Sequence, residues 1–395
     1  MRPLEGYKVL DFSRVLAGPY CTMILADYGA EVIKVEMPNT GDDSREFGPF
    51  KNGESMYYAN INRGKRSMTA NLKNPETKKI ILDLVKQVDV VIENFRPGTM
   101  EKLGFGYEAL KKINPKLIYG ASSGYGHTGP WSKKPAYDLV IQAVSGFMSI
   151  SGQEGGPPTK SGASIMDLLS GILLAKGIIT ALLVRERQGV GQKVDVSMMD
   201  GGVSILENAI LRYLVNGENP GPIGNRHPSI TPFESFQGGD GKYFVIVVGN
   251  DHLWSKFCAL IKHEELINDS RFSDNPLRNK NQKQLHTILN GIFAIRTADE
   301  WLQALDGAGI PCAPINNMEA VCKNEQLRSR DMFVDVVHPL KGAYTVIGPA
   351  VKFSETPAAV SAAAPTLGEH TAALLKEYLG YTEETVARLV AEKAL

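Results

Sequence analysis

Asp167 lies in "SGASIMDLLSG", between a loop of small residues and a long apolar run. A carboxylate at a helix start can cap free backbone N–H groups. A small-residue loop also lets a ligand approach closely, and a helix N-terminus favours the charged form, which suits a nucleophile. The local pattern leaves both roles open and, taken alone, favours the cap. Asp138 opens "YDLVIQAVSG" and reads as a cap for its own helix. His127, in the Gly/Pro-rich "GYGHTGP", could serve as a general base, although a lone loop histidine is more often structural.

Two further stretches have the chemistry of an anion site. "DFSRVLAGPY" carries Arg14, and "IENFRPG" carries Asn94, Phe95 and Arg96. Each follows a β-type run and enters a helix, where open parallel sheets bind ligands and helix N-termini favour anions. Arg96 could pair with phosphate, Asn94 could bond a polar group and Phe95 could pack on a ligand. The competing reading makes Phe95 core and Asn94 a turn former. "NRGKRSMTANLK" adds Arg63, Lys65, Arg66 and Lys73, which with Lys102, Lys133 and Lys134 form either a phosphate site or a solvated face. The first turn lacks GxGxxG, which argues against a standard dinucleotide fold. Cys21, Cys258, Cys312 and Cys322 are widely spaced, with no CxxC pair. Neither a zinc site nor a disulfide framework is expected, and reduced thiols fit a cytoplasmic protein.

These residues must be positioned by alternating strands and helices. "YKVLDF" (7–12), "EVIKVE" (31–36), "VDVVIENF" (88–95), "KLIYGASSGYG" (116–126) and the start of "QKVDVSMMD" (192–200) read as strands. "NPETKKIILDLVKQ" (74–87) reads as a helix capped by Asn74 and opened by Pro75. The alternation implies right-handed βαβ units and a mostly parallel sheet. Residues 37–66 read as a long polar loop or lid. "GILLAKGIITALLV" contains Lys176, is too short to span a bilayer and reads as a buried helix, part of a long helix after residue 165.

The middle changes character. "FESFQGGDGKYFVIVVG" predicts an antiparallel hairpin, and "TADE" a capping box. The expected division is a large domain over 1–219, a smaller α+β domain over 220–325, and a return to the large domain over 326–395. Hydrophobic residues make up 43% of the 395, enough for a substantial core. Lys plus Arg and Asp plus Glu are 43 each, which argues against nucleic acid as the main partner. The N-terminal "MRPLEGYKVLDF" has no apolar core of a signal peptide, so neither export nor membrane insertion is expected.

Nine strings occur in order: "VLDFSRVLAGPYCTMILADYGAEVIKVE", "GDDSR", "NRGKRS", "VIENFRPG", "SGYGHTGP", "YDLVIQAVSG", "GNRHPSI", "GIPCAPINN" and "LGEHT". Together they resemble the family III CoA-transferases, the group that includes formyl-CoA transferase, carnitine CoA-transferase and α-methylacyl-CoA racemase. The resemblance implies a Rossmann-like large domain, a small middle domain and an interlocked homodimer. It implies acyl-CoA and a carboxylic acid as substrates, and no metal. At the family's nucleophile position stands Asp167, which would form a mixed anhydride and then an aspartyl-CoA thioester. The positions that would contact CoA are Leu16, Ala17, Ala70, Asn71, Leu72, Lys73, Asn94, Phe95, Arg96, Lys102, Lys134 and Tyr137.

Two departures narrow the expectation. Racemases of the family carry histidine where Tyr137 stands, and a phenol titrating at roughly 10 suits their proton exchange poorly. The glycine-rich flap of formyl-CoA transferase is missing, which disfavours formate and oxalate. "GDDSREFGP" with "YDLVIQAVSGFMSISG" is most similar to members acting on dicarboxylates, such as succinyl-CoA:glutarate CoA-transferase. Arg45, Arg226 and His227 are candidates for the distal carboxylate, with a structural turn as the alternative for the last two. A racemase of 2-methylacyl-CoA and a non-catalytic CoA-binding protein are the competing functions.

Overall fold

A computed structural model describes residues 1–395. Six strands make one parallel sheet: β1 Lys8–Asp11, β2 Glu31–Glu36, β3 Arg66–Thr69, β4 Val90–Glu93, β5 Ile118–Ser123 and β6 Lys193–Ser197. Their order is β3-β2-β1-β4-β5-β6. Val9 pairs with Val32 on one side and Val90 on the other. Val9, Leu10, Val90, Val91 and Ile92 are fully buried, as runs covered on both faces of a parallel sheet must be. The order reverses between β1 and β4, which leaves a crevice at their C-terminal ends.

The helices are α1 Ala17–Asp27, α2 Met56–Asn62, α3 Pro75–Val85, α4 Thr99–Leu103, α5 Tyr107–Ile113, α6 Asp138–Val144, α7 Phe147–Ile150 and α8 Ile165–Gln188, followed by shorter ones. One core joins sheet residues to Ile80, Ile81 and Leu84 of α3 and Leu110 of α5. Leu374, Leu375 and Leu389, from helices Thr371–Leu379 and Glu383–Ala391, complete it. On the other core, Cys21 and Leu25 of α1 meet Leu174, Ile178 and Leu182 of α8. The C-terminal segment thus returns to the large unit, which comprises residues 1–148, 160–217 and 325–395.

One expectation needs correction here. Residues 37–66 are not a simple loop. They hold a 3₁₀ turn (Asp43–Glu46), a short hairpin (Phe50–Lys51 with Glu54–Ser55) and α2, and Arg66 begins the edge strand β3. Ser55 starts α2 by accepting from Tyr58 N at 3.0 Å, and elements this short carry little periodicity. The long helix expected after residue 165 is α8, whose 24 residues extend the apolar stretch to a length that could cross a membrane. The helix buries one face on α1 and the sheet, while Lys176 is exposed and Ile172 and Leu183 stay about half exposed.

The small unit comprises residues 149–159 and 218–324. Its antiparallel sheet joins Phe233–Gln237, Tyr243–Val247 and Cys312–Pro314, with the Gly-Gly-Asp-Gly turn between the first two. Phe236, Phe244, Trp254, Phe257, Phe293 and Trp301 form its core. The Thr297–Glu300 capping box is present. Residues 149–159, read above as part of the large domain, join this unit through Gly224 N donating to Gly152 O at 2.9 Å and Arg226 pairing with Glu154. Contacts over such separations leave no local pattern.

Candidate active site

Close packing of two helices positions Asp167. A Cβ at Gly171 would lie 2.7 Å from Ala17 O, so only glycine allows α8 to approach the start of α1 this closely. Asp167 lies four residues earlier on the same face. It does not cap its helix. Asp138, from α6, accepts from Met166 N at 2.8 Å and Asp167 N at 3.4 Å, and its second oxygen accepts from the Gln142 amide. Asp138 therefore caps α8 and not α6, whose N-cap is Tyr137.

The Asp167 carboxylate forms neither a hydrogen bond nor an ion pair within the protein. Burial, with the charge of Asp138 beside it, pushes its carboxyl up to about 7. The helix start does little to offset this shift, because the Met166 and Asp167 N–H groups at that end already bond to Asp138. Tyr57 on α2 shares this environment: burial, then the charge of Asp167, pushes its phenol up to about 12. No sequence pattern singled out Tyr57.

Asp167 opens onto a cleft of about 310 Å³ at the sheet's switch point. Leu16 and Ala17 line it from the first turn, Asn94, Phe95 and Arg96 from the loop after β4, and Lys134 and Tyr137 from the segment before α6. Ser123, at the end of β5, also lines it, and its buried hydroxyl has no partner. A neighbouring cavity of about 270 Å³ shares Arg14 and Phe95 with the cleft and is lined by Ala70, Leu72, Lys73 and Leu103. Two predicted contacts line neither space. Asn71 is turned to the C-terminal segment, bonding Ala394 O and Lys393 O, and Lys102 is exposed on α4.

Asn94 ties the two loops across the switch point. Its carboxamide accepts from Arg14 N and donates to Arg14 O, both at 2.8 Å, so the group is occupied by backbone. Phe95 does two jobs: it packs against the core and walls the cleft. The turn is strained, since Val15 has φ +66°, a conformation a β-branched residue rarely adopts. Val15 N donates to the Asp42 carboxylate at 3.1 Å, and buried Lys34 holds Asp42 at 2.8 Å. His127 is not in the cleft; its Nδ1 meets Lys193 Nζ at 2.8 Å.

The basic cluster divides. Arg63 pairs with Asp27 at 2.7 Å and Lys65 with Asp11 at 3.3 Å, all four side chains buried. Arg66 bridges Glu31 and Glu377. Arg45 binds Glu36 through two nitrogens at 2.8 Å and lies over the Tyr58 ring, so it is not placed to take an acid's distal group. Arg14 pairs with Asp43 at 2.6 Å. Arg96 and Lys73 enter no ion pair, and Lys134 lies over the Trp131 ring.

A larger cavity, about 690 Å³, is elsewhere, within the small unit. Its charges are matched: Glu154 binds Arg226 and Lys283, and Glu234 faces His286 at 2.7 Å. His227 stacks on Phe233 and accepts from Ser229 N, which is the structural turn. Volume therefore does not mark the chemistry; an unpartnered carboxylate among unpartnered cations does. That set fits an acyl-CoA. The phosphates need the cations, and Leu16, Leu72, Phe95 and Leu103 supply apolar wall. No group of three or more metal-ligating side chains occurs.

Known proteins resemble this one over nearly its whole length. A family model described as CoA-transferase family III matches residues 4–371. The succinyl-CoA:glutarate CoA-transferase of Mus musculus is 40% identical, with 99% of this chain and 89% of that protein covered. The acetyl-CoA:oxalate CoA-transferase of Acetobacter aceti is 42% identical, covering 95% and 96%. A crystal structure of a CAIB/BAIF family protein from Brucella suis has TM-score 0.85 at 37% identity, covering 95% of this chain and 99% of that one.

Proposed function

Because this chain belongs to CoA-transferase family III, we propose that it moves CoA from an acyl-CoA thioester to a dicarboxylate through covalent intermediates on Asp167. The observation that carries the reading is the Asp167 carboxylate, bonded to nothing in the protein and opening onto a cleft rimmed by Arg96 and Lys134.

The steps balance without net proton transfer. The ionised Asp167 carboxylate attacks the thioester carbonyl, forming a C–O bond and releasing CoA thiolate from the C–S bond. The thiolate attacks the Asp167 carbonyl of the anhydride, which expels the donor acid as carboxylate and leaves an aspartyl-CoA thioester. The acceptor carboxylate attacks that carbonyl, and the released thiolate then takes the acceptor's acyl group, restoring Asp167. Dividing the exchange this way avoids a direct displacement between two weak reactants. The environment of Asp167 suits the role. A poorly solvated carboxylate is a stronger nucleophile than a hydrated one, and ionisation near neutrality keeps it available.

Two named relatives act on dicarboxylates, succinate with glutarate in one and oxalate in the other. The missing glycine-rich flap is therefore no ground for setting oxalate aside. We read the contacts with CoA as those of Leu16, Ala17, Ala70, Leu72, Lys73, Phe95, Arg96, Lys134 and Tyr137, with Asn94 acting through the loops it ties. We also read the half-exposed apolar face of α8 as covered by a second copy of the chain, for which Ile172 and Leu183 are the support. Light scattering of the purified protein tests that part; a monomer at micromolar concentration overturns it.

For the activity, the protein is incubated with succinyl-CoA or acetyl-CoA and a panel of carboxylic acids, and new thioesters are read by mass spectrometry. A dicarboxylate monothioester is the expected product. No exchange with any acid, or α-deuterium uptake in D₂O without an acceptor, overturns the reading.

A further inference from the structure

Behind the Asn94–Arg96 loop lies a buried group that the transfer steps do not use. Glu93 ends β4 and is 2% exposed. Its Oε2 accepts from Phe95 N at 2.7 Å, the first hydrogen bond of the loop that lines the cleft. Its Oε1 accepts from Tyr119 Oη at 3.4 Å and faces His127 Nε2 at 3.6 Å. That ring nitrogen is buried and has no hydrogen-bond partner. His127 Nδ1 meets Lys193 Nζ at 2.8 Å; an ammonium there can only donate, so the ring proton sits on Nε2 and points at Glu93. Lys193 and Asp195 of β6 and Glu101 of α4 are the other charged groups around this pair.

We propose that Glu93 is a positioning residue for acyl-CoA binding: its carboxyl group, held between the Phe95 amide and the His127 ring, sets the loop that presents Phe95 and Arg96 to the cleft. The inference rests on the reading of that loop as a CoA contact. It adds a proton-dependent strength to the contact. Burial, with the charge of Glu101, pushes the Glu93 carboxyl up to about 8 against the pull of the Phe95 amide, Lys193 and Tyr119. At pH 7 the neutral acid holds Phe95 N through one neutral bond. Once ionised, it holds Phe95 N and Tyr119 through charge-assisted bonds, which are shorter and stronger, and faces the His127 N–H at 3.6 Å. The loop then tightens as pH rises from 7 to 9.

The test is calorimetric titration with coenzyme A at pH 7 and pH 9. The parent is expected to gain about threefold in affinity over this interval relative to Glu93→Gln. The glutamine keeps an acceptor for Phe95 N and cannot ionise, so its affinity at pH 7 should match the parent within twofold. Glu93→Ala, which loses the acceptor, should bind about tenfold more weakly at both pH values. Parent and Glu93→Gln with superimposable pH dependence overturn the inference, as does a folded Glu93→Ala with parental affinity. Arg96→Ala separates the premise from the inference. Unchanged CoA affinity in Arg96→Ala overturns the loop's part in CoA binding itself. Weakened affinity there, with the Glu93 variants unaffected, overturns the positioning role alone.

Discussion

Arg63, Lys65 and Arg66 differ little, as sequence, from Lys73, Arg96 and Lys134. The fold separates them. The first three lie where β3 and its approach meet β1, α1 and β2, and each meets a carboxylate: Asp27, Asp11 or Glu31. The other three line the cavities at the C-terminal ends of the strands and form no ion pair, Lys134 resting on the Trp131 ring. Two carboxylates show a related contrast, although burial raises even the paired Asp27. Asp42, beside Lys34, is held well below the usual carboxylate range, whereas Asp167 has no cation and is pushed up to about 7. Asp167 is a buried carboxyl without a partner, which is costly to charge, so the site that keeps it is positioned to react; Lys73, Arg96 and Lys134 are exposed and free to meet a ligand. The paired charges hold the crevice open and aligned, and the unpaired ones face into it.

The largest effect should come from the unpaired carboxylate. Asp167→Ala is expected to lower CoA exchange by on the order of 10³-fold or more while CoA still binds, measured by steady-state kinetics beside calorimetry. Next is a member of the paired set. Arg63→Ala leaves Asp27 buried and alone, and should cost about 3–5 kcal/mol of stability in chemical denaturation. If Arg63→Ala instead leaves stability intact and weakens CoA binding, the division between the two groups of cations is wrong.

Asp167→Asn should stabilise the protein by about 2 kcal/mol at pH 8 and by much less at pH 5. A carboxyl raised from 3.8 to about 7 favours the folded state below its unfolded value, and that stability is lost as pH rises through 7. At pH 8 the ionised carboxylate is therefore a burden that the amide removes. The same ionisation should make the exchange rate fall below pH 7. The smallest of these effects is expected from Arg96→Ala: a loss of about tenfold in CoA affinity, with no change in thermal midpoint, since no protein partner is broken.

Much of this architecture is legible in the chain. The strings around β1, β2, β4 and β5 carry the alternation of a doubly wound sheet, and the Gly-Gly-Asp-Gly turn and the Thr297 capping box stand where their residues point. Other features depend on pairings far apart in sequence. Asp167 looked like a cap because nothing local reveals that Asp138, from another helix, supplies the cap. Lys65 reads as either solvated or phosphate-binding because Asp11 becomes its partner only after β1 and β3 enter one sheet. Residues 149–159 looked like part of the large domain because their bonds to residues 224 and 226 have no periodic signature. Tyr57 carries no motif and comes to notice only beside Asp167, and Ser123, although it opens "SGYGHTGP", is singled out only by the cleft it lines.

The central claim is that Asp167 forms covalent bonds to the acyl group and to CoA. Its most direct test is to incubate the enzyme with an acyl-CoA, add hydroxylamine, and map modified residues by peptide mass spectrometry. A hydroxamate at Asp167, formed only in the presence of acyl-CoA, is the predicted result. No modification of Asp167, together with turnover that persists in Asp167→Ala, would contradict the account.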